Sequence, residues 1–265
     1  MLPSASCGFI SKMSDSLKQE FQDSVLELTI DREHAANALS NEVIEAIKHS
    51  LIDNKNRSDL KCVIIRGSGD KFFIAGGDLK ELTSVKEDEQ TEAMALNGRA
   101  MLDHIRYFPV PVIANINGYA LGGGAELALA CDYRIASETA EFGFIHSSLG
   151  ITTAWGGIID LIDRIGSSKA LSVLIEGKMM NAKDAFLTGI IEEAVNNQEA
   201  LESRISELKD TYRSTSIDVI RGIKSVTSAH KRTIHDQLKH VELDSFKKTW
   251  MSDEHWEKVE ELLSE

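Results

Sequence analysis

The chain has 265 residues, a length typical of one large domain or of a domain with a small appendage. It carries 42 Asp and Glu residues against 29 Lys and Arg, and the formal net charge of -13 argues against a broad surface for nucleic acid. No apolar stretch is long enough to cross a membrane, so we expect neither nucleic acid nor a membrane as a partner.

The three cysteines, Cys7, Cys62 and Cys131, do not have the spacing of a zinc site. Cys62 and Cys131 stand in apolar runs, which predicts buried free thiols and a reducing, cytoplasmic location. The first residues have no apolar core of the kind that a signal peptide needs, and we interpret residues 1–15 as a disordered leader.

Short apolar runs alternate with amphipathic stretches along the first two thirds of the chain. This patterning predicts strands over 24–31, 61–67, 110–118 and 132–137, and helices over 37–54, with Ser40 as N-cap, and roughly 90–106. Segment 71–82 begins as a strand, breaks at two glycines and restarts as a helix near Asp78. Such alternation indicates an α/β core with parallel or mixed strands and crossover helices.

After about residue 166 the pattern becomes helical. Amphipathic spacing predicts helices over 167–177 and 181–195, and over almost everything from 199 to 265. We therefore expect an α-rich C-terminal part that packs on the core or on another subunit.

Two glycine turns follow predicted strands, in FIAGGDL (73–79) and in GYALGGGAELALA (118–130). The first N–H groups of a helix have no internal partner and suit anions, and glycine lets a ligand approach the backbone closely. Two such turns could each donate one N–H to the same oxygen and so form an oxyanion hole for an enolate. The alternative is that the glycines only permit tight packing of helix on strand.

Candidate acid–base groups stand near the second turn. Glu126 follows the glycines, and EFGFIHSSLGITTAWGG (141–157) places His146 and Trp155 in an apolar, glycine-bounded segment. Each has a structural alternative: a surface or helix-terminal glutamate, a satisfied histidine and a packing tryptophan. The remaining histidines lie mostly on charged faces, and we predict them to be solvated: His34, His49, His104, His230, His235, His240 and His255. GxSxG, HExxH and CxxC motifs are absent, so no other nucleophile constellation stands out, and nothing in the sequence indicates a metal site.

These stretches together resemble the crotonase, or enoyl-CoA hydratase/isomerase, superfamily over nearly the whole chain. The resemblance rests on VLELTIDREHAANALS, FFIAGGDLKEL, PVIANINGYALGGGAELALACDYRIA, SLGITTAWGG and KALSVLIEGKMMNAKDAFLTGIIEEAV. It implies a spiral core of ββα turns over 16–200 and a helical trimerisation region over 201–265. It also implies a homotrimer or a dimer of trimers, no metal or redox cofactor, and coenzyme A only as part of the substrate.

Site residues follow from the same resemblance. The oxyanion-hole N–H donors would be Ala75 and Gly123, and the catalytic side chains Glu126 and His146. The residues bordering substrate and coenzyme A would be Ile74, Gly77, Asp78, Leu79, Gly122 and Trp155, although Asp78 could serve only as a helix cap. A basic residue of the C-terminal region, Lys247 or Lys248, could approach the phosphates of a neighbour's coenzyme A.

Typical hydratases of this superfamily use two catalytic glutamates, and this chain has His146 at the second position. GGGAELALACD, FIHSSLGI and AWGG resemble the ethylmalonyl-CoA decarboxylase branch more closely. We therefore expect an acyl-CoA lyase of fatty acid metabolism that decarboxylates a small alkylmalonyl thioester, such as ethylmalonyl- or methylmalonyl-CoA. The alternatives are an enoyl-CoA hydratase or dehydratase that uses Glu126 with His146, a carrier-protein thioester as substrate, and a non-catalytic scaffold.

Overall fold

A computed structural model describes the backbone of residues 9–264 and the side chains of residues 14–264. The strands are β1 (Phe9–Ser14), β2 (Leu17–Gln22), β3 (Val25–Ile30), β4 (Cys62–Gly67), β5 (Phe72–Ile74), β6 (Val112–Ile116), β7 (Tyr119–Leu121), β8 (Tyr133–Ser137), β9 (Glu141–Gly143), β10 (Met179–Asn181) and β11 (Glu193–Val195). The helices are α1 (Asn41–Asn54), α2 (Leu79–Leu82), α3 (Asp88–Arg106), α4 (Gly123–Ala130), α5 (Gly157–Ile165), α6 (Ser167–Glu176), α7 (Ala182–Thr188), α8 (Gln198–Ser214), α9 (Ile217–Trp250) and α10 (Asp253–Ser264). Short 3-10 helices cover Glu33–Ala35 and Ile145–Leu149.

Two sheets form the core. The larger has the strand order β1-β2-β3-β4-β6-β8-β11, in which β1, β2 and β3 pair antiparallel and the strands from β3 onward pair parallel. The smaller sheet has the order β10-β9-β7-β5. β5 pairs parallel with β7 and β7 with β9, whereas β10 pairs antiparallel with β9.

Successive strands alternate between the two sheets. β4 lies in the large sheet and β5 in the small one before the chain enters α2 and α3; β6 and β7 do the same before α4, and β8 and β9 before α5. This repeated strand–strand–helix order is the predicted α/β spiral of ββα turns. The central strands β4, β6 and β8 of the large sheet are mostly buried, and β6 is buried at every residue, as parallel strands covered by helices require.

The C-terminal part is helical, as predicted, and α9 packs against both α3 and α5 of the same chain. Two boundary predictions were wrong. Residues 9–14 form β1 rather than part of a disordered leader, whose residues 1–8 lie outside the described part of the chain. The helix predicted over 181–195 ends at Thr188, because Gly189 takes a positive φ of 92° and the chain then enters β11, which pairs parallel with β8.

Cys62 and Cys131 are free and fully buried, as predicted, whereas Cys7 lies outside the described residues. Burial raises the pKa of both thiols to about 12, so neither is a ready nucleophile. No helix within residues 9–264 has the length and apolar character that crossing a membrane would require.

Candidate active site

The two glycine turns meet at one edge of the small sheet. β5 and β7 pair parallel, so the turns that follow them leave from the same side of the sheet. Gly76 has a φ of 113°, and a Cβ built there would lie 3.7 Å from the Gly123 nitrogen. A Cβ at Gly124 would lie 2.1 Å from the carbonyl oxygen of Ile74, so glycine is required for α4 to approach the end of β5 this closely.

Backbone N–H groups of these turns face a common cavity. Among the described residues, neither the Gly77 N–H nor the Gly123 N–H has a hydrogen-bond acceptor, and both residues line the cavity. Ala75 was wrongly predicted as a donor, because its N–H donates to the carbonyl oxygen of Ala36 at 3.1 Å. Ile74 was also misplaced: it is the last residue of β5, and its side chain is fully buried in the hydrophobic core.

Glu126 stands one turn into α4 and is only 2% exposed. Its Oε1 accepts hydrogen bonds from the backbone N–H groups of Trp155 and Gly157, both at 3.0 Å. Its Oε2 lies 3.2 Å from Nε2 of His146. The carboxylate is therefore held by three separate groups, which is how a buried acid can avoid the penalty of an unpaired charge.

His146 lies in the 3-10 helix after β9 and is 8% exposed. Its Nδ1 is buried and has no hydrogen-bond partner among the described residues. A carboxylate can only accept, so we place the proton of the neutral imidazole on Nε2, where it points at Glu126. The structure thus brings together both predicted catalytic side chains.

The segment 153–157, which supplies two of the hydrogen bonds to Glu126, is fixed from its other side by a first buried ion pair. Arg99 of α3 donates to the carbonyl oxygen of Ala154 at 3.0 Å and pairs with Glu242 of α9. Glu242 also accepts a hydrogen bond from the hydroxyl of Thr153. Both charged side chains are less than a tenth exposed, so the pair holds the segment inside the protein.

A second buried group fixes the next carbonyl. Arg106 donates to the carbonyl oxygen of Trp155 at 2.6 Å and to Asp160 at 2.7 Å. His235 of α9 lies 3.0 Å from the other oxygen of Asp160. Burial alone would raise the pKa of Asp160, but the charge of Arg106 and the hydrogen bond from His235 hold it well below its usual range.

The cavity has a volume of about 660 Å³, within the range of small-molecule sites. Glu126, His146 and Trp155 line it, as do the cationic residues Arg32 and Lys80. Gly122 lines it beside Gly123, and Leu79 and Asp78 line it beside Gly77.

Asp78 has a defined structural task as well. It is the N-cap of α2, where its Oδ1 accepts from the Lys80 N–H, and its Oδ2 pairs with Arg32 at 2.8 Å. Lys247 is held by Asp88 and Glu92 of α3, so its charge is already partnered within the chain. No group of three His, Cys, Asp or Glu side chains within residues 14–264 is arranged to hold a metal ion.

Comparison with known proteins agrees with this arrangement. The family model for enoyl-CoA hydratase/isomerase matches residues 20–262. The chain belongs to the enoyl-CoA hydratase/isomerase family. YngF of Bacillus subtilis (strain 168), which bears this family's name, is 43% identical over 167 residues, or 62% of this chain and 63% of that protein, just under two thirds of its length.

Two further relatives cover more of the chain. The crotonyl-CoA hydratase of Syntrophomonas wolfei is 33% identical over 227 residues, which cover 86% of each protein. The crystal structure of an enoyl-CoA hydratase from Bacillus halodurans superposes with a TM-score of 0.86 over 93% of this chain and 99% of that one. At 24% identity, this superposition shows that the fold is shared.

Sequence reasoning missed most of the residues that support the site in this family member. His235 and His255 were predicted to be solvated, yet both are buried. Arg99 and Arg106 stand seven residues apart on α3, a spacing that places two arginines on one helical face, but their acidic partners come from distant elements. The sequence gives no local signal of such pairs.

Proposed function

We propose that this enzyme removes CO2 from a small alkylmalonyl thioester of coenzyme A, such as ethylmalonyl- or methylmalonyl-CoA. The observation that carries the proposal is the pairing of Glu126 with His146 instead of with a second carboxylate. Hydration by two carboxylates needs a second acid beside the first. The only other acidic residue that lines the cavity within the described chain is Asp78, which is engaged by Arg32.

In the proposed reaction the thioester oxygen accepts hydrogen bonds from the N–H groups of Gly77 and Gly123. The bond between the α-carbon and the carboxylate breaks, CO2 leaves, and the electron pair forms an enolate whose negative oxygen these two donors stabilise. The Glu126–His146 pair, after taking up one proton from water, passes that proton to the α-carbon and returns to a carboxylate beside a neutral imidazole. The step as written needs no metal or redox cofactor, and coenzyme A enters only as part of the substrate.

The cavity lining favours loss of the carboxylate. Trp155, Ile145 and Ala154 contribute apolar surface to the cavity, and Glu126 adds negative charge to it. A carboxylate is poorly accommodated there compared with neutral CO2, because a charge that leaves water for such surroundings gains no compensating partner. Lys80, which also lines the cavity, offers a cationic group for phosphates of coenzyme A.

Hydration or dehydration of an enoyl thioester is the second candidate, and the crotonyl-CoA hydratase of Syntrophomonas wolfei favours it by its name. In that reaction Glu126 would orient the water and His146 would exchange the second proton. The same oxyanion hole would serve, so the two reactions differ only in what the Glu126–His146 pair handles.

One experiment separates the two candidates. The purified protein is mixed with ethylmalonyl-CoA, methylmalonyl-CoA and crotonyl-CoA in separate tubes of D2O, and the products are weighed by mass spectrometry. We expect loss of CO2 from a malonyl thioester with one deuterium gained at the α-carbon, and crotonyl-CoA unchanged. Gain of water by crotonyl-CoA alone would replace decarboxylation by hydration. No turnover of any thioester would favour the non-catalytic scaffold.

We also propose that the subunits assemble as a homotrimer or a dimer of trimers. Large apolar side chains stand exposed on α6, α7 and α9, which is typical of a surface that a second subunit covers: Leu171, Ile175, Phe186, Leu187, Val219, Ile223 and Val226. Sedimentation equilibrium tests this, and a monomer at micromolar concentration would refute it.

A further inference from the structure

The indole ring of Trp155 lies between two glycines that belong to different helices. A Cβ built on Gly98 of α3 would lie 2.2 Å from both Nε1 and Cε2 of the indole, so the pyrrole edge rests directly on this glycine. A Cβ built on Gly123 would lie 2.4 Å from Cζ3, at the benzene edge. At Gly77 the corresponding distance to Cη2 is 3.8 Å, an ordinary contact.

The ring therefore occupies a fixed place beside both N–H groups of the proposed oxyanion hole. It is 5% exposed, lines the cavity, and its Nε1–H is buried without an acceptor among the described residues. The backbone of Trp155 cannot move to relieve a clash, because its N–H is bound to Glu126 and its carbonyl oxygen to Arg106.

Glycine at position 98 calls for a structural reason. Gly98 stands in the middle of the 19-residue helix α3, where glycine is less favourable than alanine. The three atoms nearest to a Cβ at this position all belong to the indole of Trp155. The absence of a side chain at Gly98 is thus explained by the ring alone.

We propose that Gly98 is a specificity-determining residue: the space left by its missing side chain seats the indole of Trp155 and thereby fixes where the acyl pocket ends. With the indole seated, the pocket accepts a short acyl group. This inference rests on the proposed function, since it assumes that an acyl thioester occupies the cavity, but it does not depend on which reaction follows.

Gly98→Ala should shorten the acyl pocket. To restore an ordinary contact of 3.4 Å or more from 2.2 Å, the pyrrole edge must shift by about 1 Å away from α3. The N–H and carbonyl groups of Trp155 are both hydrogen-bonded, so we expect the ring to turn before the backbone moves, and to turn into the cavity that it lines. We expect the longest acyl chain that binds to shorten by one or two carbons.

The test measures binding of unreactive saturated thioesters, acetyl-, propionyl-, butyryl- and hexanoyl-CoA, by isothermal titration calorimetry. In Gly98→Ala we expect acetyl-CoA to bind within about 2-fold of wild type, and butyryl-CoA to bind about 10- to 100-fold more weakly, the scale of one or two mismatched methylenes. Trp155→Phe, which removes the pyrrole edge, should admit hexanoyl-CoA more tightly than wild type does. The double variant should recover butyryl-CoA binding, because the added methyl group no longer meets a ring edge.

Gly222→Ala is the matched control. Gly222 is also a helical glycine, but a Cβ there meets nothing within 4 Å, so its binding series should equal that of wild type. Thermal unfolding of each variant checks the fold, and Trp155→Phe keeps the proposal testable if Gly98→Ala does not fold.

Equal weakening of all four thioesters by Gly98→Ala, or strictly additive effects in the double variant, would overturn the proposal. Chain-length selectivity that follows the indole, in a protein that releases no CO2, would overturn only the proposed reaction. Wild-type protein that binds none of the four thioesters would overturn both.

Discussion

Replacing Glu126 by glutamine disturbs the hydrogen-bond arrangement at the centre of the site while preserving its shape. In the wild type, one carboxylate oxygen accepts from the N–H groups of Trp155 and Gly157, and the other accepts from Nε2 of His146. Glutamine has one acceptor oxygen and one NH2 group. If its oxygen faces the two backbone donors, its NH2 faces Nε2 of His146, and two donors then point at each other.

The expected loss of unfolding free energy follows from the change of tautomer that His146 must make. To accept from the glutamine, its proton must move to Nδ1, which is buried and has no acceptor among the described residues. One unsatisfied buried polar group costs about 1–3 kcal/mol. Flipping the amide instead turns its NH2 toward two backbone donors, which is no better. We therefore expect Glu126→Gln to lose about 1–3 kcal/mol of unfolding free energy although it removes a buried charge.

Expressed as free energies, the loss of turnover should be larger than the loss of stability. If the Glu126–His146 pair delivers the proton to the α-carbon, the variant loses the contribution of a positioned acid–base group, about 10²- to 10⁴-fold in turnover. The assays are urea unfolding at one fixed protein concentration and turnover of the thioester that the wild type consumes. Glu138→Gln, at an exposed position, is the control and should stay within about 0.5 kcal/mol of wild type. A Glu126→Gln protein with wild-type stability and turnover would refute both the proton placement on His146 and the catalytic role.

Three further predictions concern the groups that support the site. Asp160→Asn should cost up to about 3–5 kcal/mol, because it leaves the buried Arg106 with only the partly exposed Asp103 as an ionic partner. Since the folded-state pKa of Asp160 lies below the ordinary value of 3.8, this carboxylate stabilises the protein above that pH, and the gap between variant and wild type in urea unfolding should narrow as pH falls below it. Arg99→Met should lower the free energy of unfolding by a similar amount, because it leaves Glu242 as a buried charge without its cationic partner. The double variant Arg99→Met/Glu242→Met should lose less unfolding free energy than the single variant; equal losses would contradict the pairing. His255→Ala should loosen α10 by removing the bond from Nδ1 to the Leu149 carbonyl, about 0.5–1.5 kcal/mol, which hydrogen exchange of α10 would detect. Burial lowers the pKa of His255, so in wild type this docking should weaken as pH falls below 6.5 and stay constant above it; a pH-independent exchange rate, corrected for intrinsic chemistry, would contradict this.

The fold was predictable where the local pattern and the tertiary structure agree. β4 and β6 appear as apolar, β-branched runs and α1 as an amphipathic stretch after Ser40, whose hydroxyl caps the helix as expected by accepting from the Val43 N–H. The segment 181–195 was mispredicted because three residues of β11 are too short to outweigh the helical character before them. Their strand conformation comes from pairing with β8, which only the tertiary structure supplies.

The site was predictable in its side chains and less so in its backbone. Glu126 and His146 stand out by chemistry, and the structure brings them into contact. The N–H donors do not stand out, because every residue of FIAGGDL offers one. Ala75 became unavailable only when the loop before α1 placed the Ala36 carbonyl against it, and no property of the two alanines indicates that contact.

The helix α9 joins the stability of this protein to its chemistry. Glu242 and His235, both on α9, fix the segment 153–157 through Arg99 and through Asp160 with Arg106. That segment holds Glu126 by two backbone hydrogen bonds, and it includes Trp155, whose indole lines the cavity. A substitution on α9 that breaks either buried pair should therefore release the carboxylate and the ring together. We expect such variants to lose turnover while most of the spiral core is still folded, because the core strands pair with one another and not with α9.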